Sequence, residues 1–214
     1  MKRFQMITEA DARMLEQGST VVLVAGGHIT PLARDSLKAR RITIVREDGD
    51  VDVESLAPVA DVRVVALASD HTGVALRNAI RQHLRGRGIA VDDLGTDGHE
   101  PVDYPDTAAA VAVQVARREA DAGIVIDGAG LGSAIAANKV AGVRAAMCPT
   151  RTLARYAREH NGANVLALGS TLMTPEEALA IVDTFLGTAM REPRYLRRLA
   201  KIRELERRAP ERSS

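Results

Sequence analysis

The chain has 214 residues and 46% hydrophobic content, enough to bury one substantial core with a small appendage. It contains no Trp, two Phe and three Tyr, so the core must be aliphatic, and its net charge of +1 argues against a global nucleic-acid footprint. The single cysteine, Cys148, excludes an intrachain disulfide framework and reads as a buried thiol; with no signal peptide and only strand-length apolar runs, a cytoplasmic protein without a membrane partner is expected.

Residues 1–60 read as a separate small α/β appendage. Thr8-Glu9-Ala10-Asp11 opens a short helix, residues 20–24 form a strand, Thr30-Pro31 caps a helix running to Arg40, and residues 42–45 form another strand. His28 falls in a loop. The polar stretch 46–54, with Pro58 beyond it, is a linker, and the boundary is set near Asp61.

From Asp61 onward strands and helices alternate. Strands are predicted at 63–68, 89–92, 122–126, 145–147 and 165–168, and helices at 74–87, 106–119, 133–139, 152–161 and 175–186. This order implies right-handed crossovers and a Rossmann-like parallel sheet with helices on both faces. In such sheets ligands gather beyond the carboxyl ends of the strands, which is where Asp70, Asp127 and Gly169 fall.

The segment with the most chemical content is Asp127-Gly128-Ala129-Gly130-Leu131-Gly132-Ser133. A strand ending in a carboxylate and passing through three glycines into a helix offers a base and an anion cradle together. Two readings of Asp127 fit: a general base whose pKa partial burial raises, or a cap that accepts the amides of its own turn. The glycine spacing fits neither a dinucleotide fingerprint nor a nucleotide P-loop, and the five histidines show no clustered ligand spacing, so neither cofactor nor metal is expected.

Ordered stretches then carry a resemblance. They are Ala68-Ser69-Asp70-His71-Thr72-Gly73, Asp103-Tyr104-Pro105, the glycine turn with Ala136-Ala137-Asn138-Lys139, Ala141 to Ala145, Glu159-His160-Asn161, Gly169-Ser170, and Arg194 with Arg198. Residues 61–214 resemble the ribose-5-phosphate isomerase B and galactose-6-phosphate isomerase family. The resemblance implies a metal-free aldose–ketose isomerisation of a phosphosugar, most readily ribose 5-phosphate, in a homodimer or tetramer with shared active sites. Ring opening is followed by proton transfer through a cis-enediolate.

Family members carry Cys at position 127 or Glu at position 133; here these are Asp127 and Ser133, so Asp127 is expected to be the base. His160 and Asn161 match the ring-opening pair. Asp70 and His71 would bind hydroxyls and phosphate, and Arg194 with Arg198 would clamp the phosphate in the neighbouring subunit's site. Gly128, Ala129, Gly130 and Gly132 would supply amides to the enediolate, and Tyr104, Ser133, Asn138 and Lys139 complete the implied binding set. Ala129, Thr171 and Tyr195 depart from the family's usual Ser or Thr, Arg and His. The departures favour another sugar phosphate, such as a hexose 6-phosphate, a subunit of a split site, or a non-catalytic binding subunit. The start of the chain, Ile7-Thr8-Glu9-Ala10 and Ile29 to Arg34, is similar to a cobalamin adenosyltransferase type found with bacterial microcompartments. That likeness implies a docking module for a shell or partner enzyme.

Overall fold

The computed structural model describes residues 2–46, 56–96 and 100–208. The predicted linker at 46–54 lies, except for Arg46, outside the described residues. The chain divides into two compact units, Met1–Ala57 and Pro58–Ser214, three residues before the boundary expected from the sequence.

The first unit is a three-stranded parallel sheet in the order β1-β2-β3, built from β1 (Arg3–Ile7), α1 (Glu9–Met14), β2 (Thr20–Ile29), α2 (Pro31–Ala39) and β3 (Thr43–Arg46). Thr8 and Asp11 form a capping box at α1, and Thr30 caps α2 ahead of Pro31. Ile7, Leu15, Leu23, Leu37 and Ile44 lie in its core. Two expectations are corrected. Arg3–Ile7 is a strand, and β2 extends to Ile29, so His28 pairs with Met6 rather than sitting in a loop.

The second unit is a five-stranded, wholly parallel sheet in the order β5-β4-β6-β8-β7, with β4 (Val64–Ser69), β5 (Ala90–Asp93), β6 (Ala122–Asp127), β7 (Ala145–Met147) and β8 (Val165–Gly169). Helices α3 (Val74–Gly86), α6 (Arg151–Asn161) and α7 (Pro175–Gly187) cover one face, and α4 (Tyr104–Ala116) and α5 (Leu131–Ala137) the other. A last helix, α8, runs over Pro193–Arg208. The fold is therefore the expected Rossmann-like α/β sheet with helices on both faces.

Side-chain size sorts the two faces. Val65, Leu67, Ile124, Ile126, Leu166 and Leu168 meet α3, α6 and α7. Ala66, Ala68 and Ala167 on the opposite face let α4 and α5 approach closely. A Cβ on Gly123 would stand 2.5 Å from Val111. Arg158, fully buried, donates to Ala163 O at 2.9 Å and Val59 O at 2.7 Å and lies over the Phe185 ring, tying the start of the unit to α6 and α7. Burial lowers its pKa to about 10.

Candidate active site

Parallel strands put every strand's carboxyl end on one edge of the sheet. Asp70 follows β4 and Asp127 closes β6; these strands pair with Ser69 opposite Ile126, and Asp70 N donates to Ile126 O at 3.0 Å. Their carboxylates therefore leave adjacent strands at the same level, about 4.8 Å apart in the backbone. Asp70 Oδ1 accepts the Thr72 N–H at 2.8 Å and its hydroxyl at 2.6 Å, which caps the single 3-10 turn His71–Gly73. His71 and Thr72 are exposed beside it.

The turn after β6 is shaped by Asp127. Its Oδ1 accepts the Ala129 N–H at 2.8 Å and also the Gly130 N–H, and its Oδ2 accepts the Ser133 N–H at 2.8 Å. Gly130 has φ +76°, and a Cβ there would lie 2.8 Å from the Leu168 carbonyl carbon, so this close left-handed corner requires glycine. Thr171 fastens the turn from the far side, its hydroxyl donating to Gly128 O at 2.6 Å. The Tyr104 ring lies over Gly132, 2.6 Å from where a Cβ would be.

This geometry does not give Asp127 the raised pKa expected of a general base. Burial pushes its pKa up, but the bonds from Ser133, Gly130 and Ala129 outweigh burial and hold the carboxyl below the ordinary carboxylate range. The amides of Ala129 and Gly130, expected to face the enediolate, are engaged by this carboxylate. Ser133 is fully buried, and its Oγ, although its dipole helps lower Asp127, has no partner in hydrogen-bond geometry.

The other expected residues stand elsewhere. Helix α6 runs antiparallel to the strands, so His160 and Asn161, at its end, lie where β8 begins, whereas Asp127 pairs with Gly169 where β8 ends. Five strand residues separate the two ends, about 13 Å of backbone. His160 stacks on Tyr156 at 4.8 Å and meets Tyr195 at 4.7 Å between ring centroids. Arg194 and Arg198 flank Tyr195, their guanidinium carbons 4.9 and 5.6 Å from its ring centre. The sequence reading brought His160, Arg194 and Arg198 into one site but gave Tyr156 no part. The signal for Tyr156 was its place four residues before His160, one turn back on the same helix face.

Asn138 and Lys139 follow α5 at this same end. Asn138 Nδ2 donates to Ala134 O and Ala145 O, and Oδ1 accepts the Ala145 N–H at 2.8 Å, so its amide joins α5 to β7 instead of meeting the glycine turn. A cavity of about 360 Å³ opens beside it, lined by Arg144, Asn161, Ile202, Leu205 and Glu206 among others. Within one chain, then, Asp70, His71, Tyr104 and residues 127–133 share one edge, and Asn138, Lys139, His160, Asn161, Arg194 and Arg198 the other.

The second unit's sequence matches the family described as Ribose/Galactose Isomerase over residues 65–202. The chain belongs to that family. It is 43% identical to ribose-5-phosphate isomerase B of Escherichia coli over 147 residues, covering 69% of this chain and 99% of the relative. It is 42% identical to a putative sugar phosphate isomerase of Bacillus subtilis, covering 66% and 96%. Among solved structures, the ribose-5-phosphate isomerase B of Clostridium thermocellum superposes with a TM-score of 0.67 at 47% identity, covering 69% of this chain and 99% of that one. The Mycoplasma genitalium enzyme with bound ribulose-5-phosphate gives 0.66 at 41% identity, covering 68% and 97%. The chain is a sugar-phosphate isomerase.

Proposed function

We propose that the chain interconverts ribose 5-phosphate and ribulose 5-phosphate, without a metal, by opening the sugar ring and carrying a proton between C2 and C1 through a cis-enediolate. The observation that carries this reading is the pair of carboxylates, Asp70 and Asp127, side by side over the glycine turn at the carboxyl edge of β4 and β6. A carbon acid needs a positioned base, and its enediolate needs nearby donors.

The same geometry supports a site shared between two copies. The His160, Arg194 and Arg198 cluster lies a sheet's length from its own glycine turn, so a second chain supplies these groups to each cradle. Arg194 and Arg198 take the phosphate, and His160 with Asn161 serves ring opening. The apolar side chains Leu131 (58% exposed) and Ile135 (64%), one turn apart on α5 beside the cradle, suit contact with that partner. Residues 1–57 are a docking module for a shell or partner enzyme.

Thr171 favours a second reading, in which the substrate is a different aldose phosphate such as a hexose 6-phosphate. It stands where a phosphate-binding Arg is common, and its hydroxyl is engaged with Gly128 O. The test is ketose formation by the purified protein from ribose 5-phosphate and from hexose 6-phosphates. Turnover of the pentose supports the first reading, and turnover of a hexose alone supports the second. Binding without turnover points to a non-catalytic subunit. Removing residues 1–57 should leave turnover intact and abolish association with a shell.

A further inference from the structure

The two carboxylates on the sheet edge differ in what is left of them for a substrate. Asp127 gives both oxygens to backbone amides, Oδ1 to Ala129 and Gly130 and Oδ2 to Ser133. Asp70 takes both of its donors on one oxygen: Thr72 N–H and Thr72 Oγ1 both bond Oδ1. Among the described residues nothing bonds Asp70 Oδ2, and although the residue is only 6% exposed, that oxygen is not among the fully buried unpartnered atoms. One oxygen is thus pinned and the other is open to a ligand. The pinning reaches outward, because Ser170 Oγ donates to Thr72 Oγ1 at 3.4 Å, so a hydroxyl chain from Ser170 through Thr72 fixes the plane of the Asp70 carboxylate.

We infer that Asp70, not Asp127, is the base that carries the proton between C2 and C1, and that Asp127 is a positioning residue that shapes the turn beside it. The inference rests on the isomerase reading above. From aldose to ketose, Oδ2 takes the proton from C2, the C–H electron pair becomes the C1–C2 double bond, and the carbonyl pair moves onto O1. The O2 proton then passes to O1. Asp70 returns its proton to C1 as the C2 carbonyl forms, leaving the carboxylate as it began and the substrate's atoms and electrons in balance. The amides of Leu131 and Gly132, which Asp127 does not engage, remain to face the developing oxyanion.

The proton transfer can be observed apart from ring opening, because ribulose 5-phosphate has no free hydroxyl with which to close a five-membered ring. Exchange of its C1 hydrogen with deuterated solvent, followed by NMR, therefore reads the base alone. Asp70→Asn keeps the Oδ1 cap and alters only Oδ2. It should slow exchange by about a hundredfold to ten-thousandfold, the usual worth of a general base, with KM changed only a few-fold. Asp127→Asn should melt earlier and raise KM, yet lose less than about tenfold in exchange. Thr72→Val, which removes the orienting hydroxyl and keeps the N–H, should slow exchange about tenfold; it decides the matter if Asp70→Asn fails to fold. Parental exchange in Asp70→Asn or in Thr72→Val overturns the assignment, as does loss confined to Asp127→Asn. A parent protein that exchanges neither ribulose 5-phosphate nor ketohexose phosphates sinks the isomerase reading, and this inference with it.

Discussion

Replacing Asp127 by Asn tests whether that carboxylate holds the glycine turn together. The Asn carbonyl can still accept from Ala129 and Gly130, but its amide would face the Ser133 N–H, donor against donor. One charge-assisted bond is lost, about 1.5–3 kcal/mol, and two others fall to neutral strength, so a total near 3 kcal/mol is expected. In a unit of this size each kcal/mol moves the melting temperature about 2–4 °C, which gives a fall of about 6–12 °C at pH 7, read by thermal denaturation. The pH dependence has a definite sign. The folded pKa lies below the ordinary value, so the carboxylate's contribution is present above about pH 3.9 and is lost as pH falls through the folded pKa. The gap between parent and variant should therefore hold from neutrality to about pH 4 and close only below it. A gap under about 1 °C at pH 7, or one that widens between pH 7 and 5 as a raised pKa would dictate, refutes the capping role.

Gly132→Ala places a Cβ 2.6 Å from the Tyr104 ring and should cost about 1–3 kcal/mol in a thermal melt, with most of the loss relieved in a Tyr104→Ala background. Cys148 is 1% exposed and burial pushes its thiol pKa up to about 11, so at pH 8 the native protein should resist iodoacetamide and be labelled only in denaturant. If each site joins one chain's cradle to the other's arginines, mixing inactive Asp70→Asn with inactive Arg198→Ala and letting subunits reassort should restore about a quarter of parental activity. Half the dimers are then mixed, each with one intact site of two, and no recovery would mean that each chain works alone.

The sequence was most legible where burial is two-sided. β6 and β8, buried along their whole length, add only Asp127 and Gly169 to the predicted runs, because a parallel strand covered on both faces reads as an unbroken apolar stretch. β1 was missed for the opposite reason. In Arg3–Ile7 only Ile7 is buried and Phe4 half-buried, and a register shift between Phe4 and Met6 breaks the alternation that marks a half-buried strand. At the site, residue types were legible and their partners were not. An aspartate before glycines fits a base and a cap equally well; the cap is realised because Gly130, at φ +76°, turns its N–H back on the carboxylate. Asn138 shows the same limit, since its place in a matched motif says nothing of an amide engaged at both ends.

Asp127 and Ser133, standing where the resemblance implies Cys or Glu, have a physical consequence beyond the choice of base. A glycine turn with free amides attracts anions, but here a resident carboxylate already occupies the amides of Ala129, Gly130 and Ser133. A second anion brought close to it meets like charge, so the phosphate is better placed away from Asp127, toward cationic groups. Arg194 and Arg198 are such groups, but both are packed on Tyr195 at the other end of the sheet. On the two-copy site proposed above, the substrate's neutral hydroxyl end belongs at the aspartates and its charged end at a partner's α8. On that proposal, a chain that fills its own anion cradle depends on a second chain to hold the phosphate.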